Sequence, residues 1–193
     1  METDQPAPDG AYSLIAHPAQ PPLAIRSVEA RVLRGEGPWL QLRWRIDGAA
    51  SLVVPPFAGK RRADNLWRTT CFELFLRPEG TAGYTEFNLS PSEQWAAYDF
   101  NDAREGMRER AMPRDPVCTL RRGGSVVIFD AALPLGALPA ERCALSLTAV
   151  IEEQGEGGAR VLSYWALAHP NPDKPDFHDP ACFTAALPAP GVL

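Results

Sequence analysis

The sequence predicts an all-β protein, built as an antiparallel β-sandwich of about nine or ten short strands with little helix. Short runs of apolar residues alternate with polar residues at a period of two, which is the period of a strand. The chain contains 20 prolines, and proline disrupts helix interiors. Turn residues separate the apolar runs at short intervals. Together these features favour strands joined by stiff loops over a helical bundle.

Size and charge limit the class of protein. The 193 residues fit one domain, and we expect residues 1–25 to form a tail and an extended connector and residues 26–193 to form a single β-sandwich. The formal net charge of −5 disfavours binding to nucleic acid. The sequence has neither an apolar run of about twenty residues nor a basic and apolar leader, so we expect a cytoplasmic protein with no membrane partner. The oligomeric state stays open.

The first part of the chain is expected to contain three strands. Residues 28–32 alternate small apolar with charged residues, and residues 40–46 show the clearest alternation of the sequence, with Trp44 on the apolar side. Residues 52–54 resume as a strand that stops at two prolines. Residues 57–65 are then expected to form a basic loop that contains glycine.

The centre of the chain is expected to be an antiparallel hairpin with arms at residues 66–76 and 84–92. Both faces of the arms are largely apolar, yet each arm carries one carboxylate, Glu73 in the first and Glu86 in the second. An unpaired buried charge is costly, so these side chains either face solvent or bind something. A slip of one residue in register would decide whether they share a face, and the sequence leaves that register open.

The second part of the chain is expected to continue as strands. Residues 93–98 contain good helix formers but also alternate, which leaves helix and strand open. Residues 101–116 are the longest region without a clear strand, and such loops are often functional. Residues 117–130 predict a hairpin whose turn, Gly123-Gly124, would adopt positive φ. The remaining expected strands are residues 145–152, residues 161–167 and a short closing strand near Cys182 and Phe183.

The candidate chemical groups occur without a catalytic motif. No nucleophile elbow and no glycine-rich phosphate loop is present. Glu73 and Glu86 have three interpretations, which are polar strand positions, a ligand site or an acid–base pair. His169 and His178 lie in a segment rich in proline and aspartate and match no metal-binding motif, so no metal is expected. The four cysteines lack metal-site spacing and are expected to be buried small hydrophobes.

Tryptophan provides the other candidate groups. Trp44 alternates with core residues and is expected to be buried. Trp67, Trp95 and Trp165 stand beside polar residues, and a tryptophan ring in a groove is a flat platform for a sugar ring. Taken alone, each of these three side chains fits the core better than a platform.

The central hairpin and the residues after it resemble the DOMON-like and type 9 carbohydrate-binding-module superfamily. The resemblance is carried by residues 66–76 (LWRTTCFELFL), 84–92 (YTEFNLSPS) and 95–100. Such domains show an L-W-x-D/T-T/S-C-F-E-x-F-L strand followed by Y-x-E-F-N-x-S-P-x-G-x-W, and Glu93 stands here where glycine is common. Residues 164–178 are similar to small bacterial members. The resemblance covers most of the chain from about residue 40 onward.

This resemblance implies a jelly-roll or immunoglobulin-like sandwich with a ligand pocket on one face, and a strand at residues 95–100. Ligands in the superfamily are saccharides or haem b. A saccharide would stack on tryptophan among polar groups. The ligand-binding residues predicted for that case are Trp67, Arg68, Glu73, Glu86, Asn88, Trp95 and Arg104. Haem b would take Met107 with His169 or His178 as its axial ligands.

We therefore expect a non-catalytic module that binds a saccharide or a sugar-containing metabolite. The alternative is a haem b-binding module for electron transfer with Met and His ligands. An enzyme that uses Glu73 and Glu86 is a third interpretation. A cytoplasmic location would favour a small sugar, a nucleotide sugar or a protein partner over a polysaccharide.

Overall fold

The computed structural model describes residues 10–33 and 37–192. These residues form thirteen strands in one hydrogen-bonded network. The strands are β1 (Ala11–Ala16), β2 (Ser27–Leu33), β3 (Trp39–Asp47), β4 (Arg61–Arg62), β5 (Cys71–Pro78), β6 (Tyr84–Leu89), β7 (Gln94–Phe100), β8 (Arg108–Glu109), β9 (Val117–Gly123), β10 (Val126–Pro134), β11 (Cys143–Gln154), β12 (Arg160–Ala166) and β13 (Ala185–Leu187). Helical structure in these ranges is limited to short 3-10 turns, which confirms the all-β prediction. Residues 1–9 of the expected tail lie outside the described residues.

The strands follow one continuous order, β4-β7-β6-β5-β11-β12-β1-β2-β3-β10-β9. β8 pairs with β7, and β13 pairs with β11. Strand pairs run antiparallel except for β4, which runs parallel to β7. The path curls so that β3 and β10 face β5 across the core. The architecture is therefore a curled mixed sheet, where the sequence predicts a purely antiparallel sandwich.

β1 makes the sheet continuous. Its residues 11–14 pair with β2, whereas residues 15–16 pair with β12. The N–H of His17 then donates to the carbonyl oxygen of Tyr164 at 2.8 Å. The sequence places this segment in a tail and connector and misses the strand, because a short apolar run carries no information about partners far away in the chain. The domain boundary at residue 26 stays a prediction.

Buried Glu153, on β11, holds the segment that follows β1. One carboxylate oxygen accepts hydrogen bonds from the N–H groups of Ala24 at 2.7 Å and Ile25 at 3.2 Å, and from the Ser51 hydroxyl at 2.9 Å. The other oxygen accepts from the N–H of Leu23 at 2.7 Å. The Glu153 side chain has no exposed surface. Its charge is thus compensated by hydrogen-bond donors, and the segment is tied to the sheet.

The main core lies between the two facing parts of the sheet. The Phe72 ring stacks on the Phe129 ring with centroids 4.3 Å apart and lies 5.3 Å from the Trp44 ring. All three side chains have no exposed surface, which confirms Trp44 as a core residue. The four cysteines are buried and form no disulfide, as the sequence predicts.

Most of the later strands follow the sequence prediction. Of residues 93–98, left open between helix and strand, residues 94–98 belong to strand β7, because pairing of residues 95–100 with β6 overrides the local helix propensity. The hairpin of β9 and β10 is present. Its turn differs from the prediction, since neither Gly123 nor Gly124 is among the positive-φ residues of the described chain.

Two predicted strands are wrong. In residues 52–54 only an isolated bridge forms, between Leu52 and Glu153, because the prolines that follow cannot donate to a ladder. The closing strand is β13 rather than Cys182 and Phe183. A 3-10 turn occupies Pro180–Cys182, and the Asp179 side chain caps it by accepting from the N–H of Ala181 at 2.8 Å.

Candidate functional site

The hairpin of β5 and β6 brings the two glutamates to one face. Glu73 lies opposite Asn88, and Phe75 lies opposite Glu86. Because paired residues share a face and residues two apart do so as well, Glu73 and Glu86 are diagonal neighbours on the same side of the sheet. The alternate residues of β5 point into the main core. The register that the sequence leaves open is thus the one that joins the carboxylates.

These glutamates form a buried group with two further polar side chains, which we name the carboxylate cluster: Glu73, Glu86, Asn88 and Thr148. The Thr148 hydroxyl on β11 donates to Glu73 Oε2 at 2.8 Å. The Asn88 amide donates to Glu86 Oε1 at 2.7 Å. Glu73 is 2% exposed, Glu86 6% and Asn88 2%.

The carboxylate cluster has more acceptors than donors. Among the described residues, the Oδ1 atom of Asn88 and the hydroxyl of nearby Ser146 are buried without a hydrogen-bond partner. Each glutamate accepts one hydrogen bond from within the cluster, on a single oxygen. Buried polar groups are nearly always satisfied in native proteins, so Asn88 Oδ1 has an unmet need for a donor, and the Ser146 hydroxyl has an unused donor of its own.

Burial strongly perturbs both carboxyl groups. It raises the pKa of Glu73 to about 8, with a further rise from the neighbouring charge of Glu86, which outweighs the hydrogen bond from Thr148. It raises the pKa of Glu86 to about 7, against the hydrogen bond of Asn88 and the positive charge of Arg104. The cluster therefore retains protons near neutral pH when nothing else compensates it.

The C-terminal segment covers one side of the carboxylate cluster. The Tyr84 hydroxyl accepts from the N–H of Arg104 at 3.2 Å and bonds to His178 Nδ1 at 2.6 Å. His178 Nε2 lies 3.9 Å from Glu86 Oε2. Burial and then the charge of Arg104 lower the pKa of His178 to about 4. His178 is thus neutral and leaves the Glu86 charge uncompensated.

Arg104, predicted from the sequence as a ligand-binding residue, is bound within the protein. Its guanidinium pairs with Asp176 at 2.7 Å, and its backbone has a φ of 59°, which is unusual for a residue other than glycine. The ion pair lowers the pKa of Asp176, although partial burial opposes that change. This contact joins the long loop to the C-terminal segment beside the carboxylate cluster.

Trp67 supplies an exposed ring on the side of the carboxylate cluster. It belongs to a 3-10 turn, Leu66–Arg68, in which Leu66 is buried in the same apolar group as Cys71 and Tyr98 of the cluster face. The Trp67 side chain is 45% exposed. The guanidinium of exposed Arg68 lies 5.6 Å from the centroid of this ring, within reach of a cation–π interaction.

The other tryptophan candidates point elsewhere. Trp95 is 6% exposed and belongs to the main core, on the opposite face of the sheet from the carboxylate cluster. Arg62 lies over its ring at 4.8 Å. Trp165 is also a core residue, and its indole N–H donates to the Ser163 hydroxyl at 3.0 Å. Of the three, Trp67 alone has an exposed ring.

The residues predicted as axial ligands of haem are Met107, His169 and His178. Met107 is 62% exposed on the long loop. His169 Nε2 bonds to the carbonyl oxygen of Ile15 at 2.8 Å, and His178 bonds to Tyr84. Both histidines are therefore already used to hold the chain together, and the haem alternative receives no support.

Sequence reasoning missed two contributors to this face. Ser146 and Thr148 belong to β11, which the sequence predicts only as an alternating strand. Both are buried hydroxyls, at positions two apart in an otherwise apolar run. That spacing was the available signal, because residues two apart in a strand share a face.

Comparison with known proteins finds similarity at the level of structure. A proposed carbohydrate-binding protein from Bacteroides uniformis superposes with a TM-score of 0.59 at 15% identity, over 90% of this chain and 84% of that one. A family 9 carbohydrate-binding module from Caldicellulosiruptor kristjanssonii, solved with glucose, gives a TM-score of 0.46 at 8% identity, over 83% of this chain and 80% of that one. No protein family and no curated protein matches the sequence. The first similarity shows a shared fold.

The described ranges also bear on membrane insertion. Within residues 10–33 and 37–192, no helix has the length and apolar character that a membrane crossing requires.

Proposed function

We propose that this protein is a non-catalytic module that binds a saccharide on the face of the carboxylate cluster. The observation that carries the proposal is an exposed Trp67 ring on a turn that packs on the face of the carboxylate cluster, where Asn88 Oδ1 is an unused acceptor. The fold shared with a proposed carbohydrate-binding protein supports it.

The two parts of the site suit the two surfaces of a sugar. A sugar ring presents apolar C–H groups on its faces, which pack on an aromatic ring, and hydroxyl groups at its edge, which donate to acceptors. Trp67 supplies the first surface, and Glu73, Glu86 and Asn88 supply the second. Ligand pockets typically combine an apolar wall with a few convergent polar groups of this kind.

The non-catalytic part of the proposal rests on how the hydroxyl groups are used. Ser90 and Ser92 bond to each other at 2.8 Å rather than to a general base. Among the described residues, the neutral imidazole of His178 faces tyrosine and glutamate, with no serine or cysteine nucleophile bonded to it. Nucleophile activation requires such a pair.

Calorimetric titration with a panel of mono- and disaccharides tests the proposal. We expect saturable binding by the wild type and a loss of roughly tenfold in affinity for Trp67→Ala, because an aromatic contact of this kind contributes about 1.4 kcal/mol. Phe57→Ala is the matched control, since Phe57 is 75% exposed on another loop, and it should bind like the wild type. Equal affinity of Trp67→Ala and wild type would show that the sugar ring does not pack on Trp67.

A further inference from the structure

The unmet hydrogen bonds of the carboxylate cluster define what its ligand must bring. Asn88 Oδ1 is a buried acceptor without a donor, and it lies on the shared face between the two glutamates. Glu73 and Glu86 each have one oxygen outside the hydrogen bonds formed within the cluster. Three acceptors thus lie on one face of the hairpin. A ligand that satisfies them must carry several N–H or O–H donors at a single point.

The charge of the carboxylate cluster further limits the class of ligand that can bind there. In residues 10–33 and 37–192, neither Glu73 nor Glu86 forms an ion pair with a lysine or an arginine. Buried carboxylates are normally compensated by a cation or by several donors, as Glu153 is by four donors. The surrounding donors compensate the Glu153 carboxylate, whereas the carboxylate cluster lacks the donors or the cation that would compensate its two carboxyl groups.

The groups that face the carboxylate cluster from the surrounding elements do not supply the missing charge. Burial raises the pKa of Tyr84, Tyr98, Tyr164 and Cys71, so these groups stay uncharged near neutral pH. His178 is neutral, and Arg104 is paired with Asp176. Asp64, near the same face, accepts a hydrogen bond from the Tyr98 hydroxyl.

Tyr164 on β12 and the Trp67 turn border the face that carries the carboxylate cluster. Tyr164 on β12 is half-buried and lies close enough to Glu73 for that charge to raise its pKa, after the effect of burial.

From this placement we infer that the carboxylate cluster binds a protonated amine, so that the saccharide is an amino sugar rather than a neutral sugar. The inference rests on the proposed function. An ammonium group has three donors, one for each of the three free acceptors, and its single positive charge compensates one ionised glutamate while the other keeps its proton. A neutral hydroxyl provides one donor and no charge. The sugar ring of the same ligand lies on Trp67.

Binding of an ammonium ion would displace protons from the carboxylate cluster. Calorimetry with glucosamine, N-acetylglucosamine and glucose at pH 6.5, below the pKa of the amine, tests this. Titrations in two buffers of different ionisation enthalpy report the protons exchanged. We expect at least tenfold tighter binding of glucosamine than of the two neutral sugars, with net proton release for glucosamine alone. Propylamine serves as a probe of the amine without the sugar.

Two variants separate charge from shape. Glu73→Gln keeps the size of the side chain and removes its charge, and it should lower glucosamine affinity by at least tenfold and abolish the proton release that accompanies glucosamine binding. Glu79→Gln is the matched control, because Glu79 is an exposed carboxylate on the same hairpin. It should retain the preference for glucosamine.

The outcomes distinguish this inference from the proposed function. Equal binding of glucose and glucosamine without proton release overturns the amine site and leaves saccharide binding in place. Binding of propylamine with proton release, but of no sugar, supports the amine site and overturns the saccharide function. No binding of any of the four compounds overturns both.

Discussion

Glu73→Gln should change how the stability of this protein depends on pH. The pKa of Glu73 rises from 4.5 to about 8 in the folded protein, through burial and then the charge of Glu86. The protonated form thus stabilises the fold fully below pH 4.5, and that contribution is lost as pH rises through about 8. At 1.36 kcal/mol per pKa unit, the loss is on the order of 5 kcal/mol. Glutamine does not ionise, so Glu73→Gln should remove this loss of stability at high pH.

Urea unfolding followed by tryptophan fluorescence at pH 5 and pH 9 measures the effect. At pH 5 the wild type and Glu73→Gln should have similar free energies of unfolding, and at pH 9 the variant should be the more stable by several kcal/mol. Groups away from the carboxylate cluster titrate equally in both proteins and cancel in the difference, and Glu86, relieved of the Glu73 charge, changes it in the same direction. Glu79→Gln, an exposed substitution on the same hairpin, should follow the wild type. Curves of wild type and Glu73→Gln that run parallel over this range would refute the buried, uncompensated carboxylate.

Two further substitutions test how the segments around the site are held. Glu153→Gln replaces one acceptor oxygen by a donor that faces a backbone N–H, so the free energy of unfolding in urea should fall by about 1–3 kcal/mol, and exposed Glu156→Gln should leave it unchanged. Tyr84→Phe removes the hydroxyl that joins His178 to the long loop. Amide exchange at residues 176–183 should accelerate several-fold, whereas Tyr12→Phe should leave that segment unaffected; unchanged exchange in Tyr84→Phe would contradict the link.

A strand could be predicted from sequence where one of its faces meets the core and the other meets solvent. The strand that contains Trp44 is clear because core and solvent impose alternation along its length. β7 was ambiguous because its residues suit either structure, and pairing with β6 decides. β1 was missed because its partners are distant, and no local pattern encodes them.

The site was predictable in its residue types but not in its geometry. Glu73, Glu86 and Asn88 stood out as polar residues in apolar arms. Whether they meet depends on the register across a connection of several residues, which can close in more than one way. Trp67 and Trp95 looked equivalent in sequence, but they differ because one lies on an exposed turn and the other on the core face of a strand.

The divided pairing of β1 also affects assembly and association. A strand that bonds to β2 along one half and to β12 along the other can dock only after both parts of the sheet exist, so it closes the structure late and over a long stretch of chain. Whenever it detaches, two strand edges lose their partner at once. Each bare edge is a template on which an extended segment of another molecule can add. By covering both strand edges, β1 therefore also disfavours domain exchange and edge-to-edge aggregation.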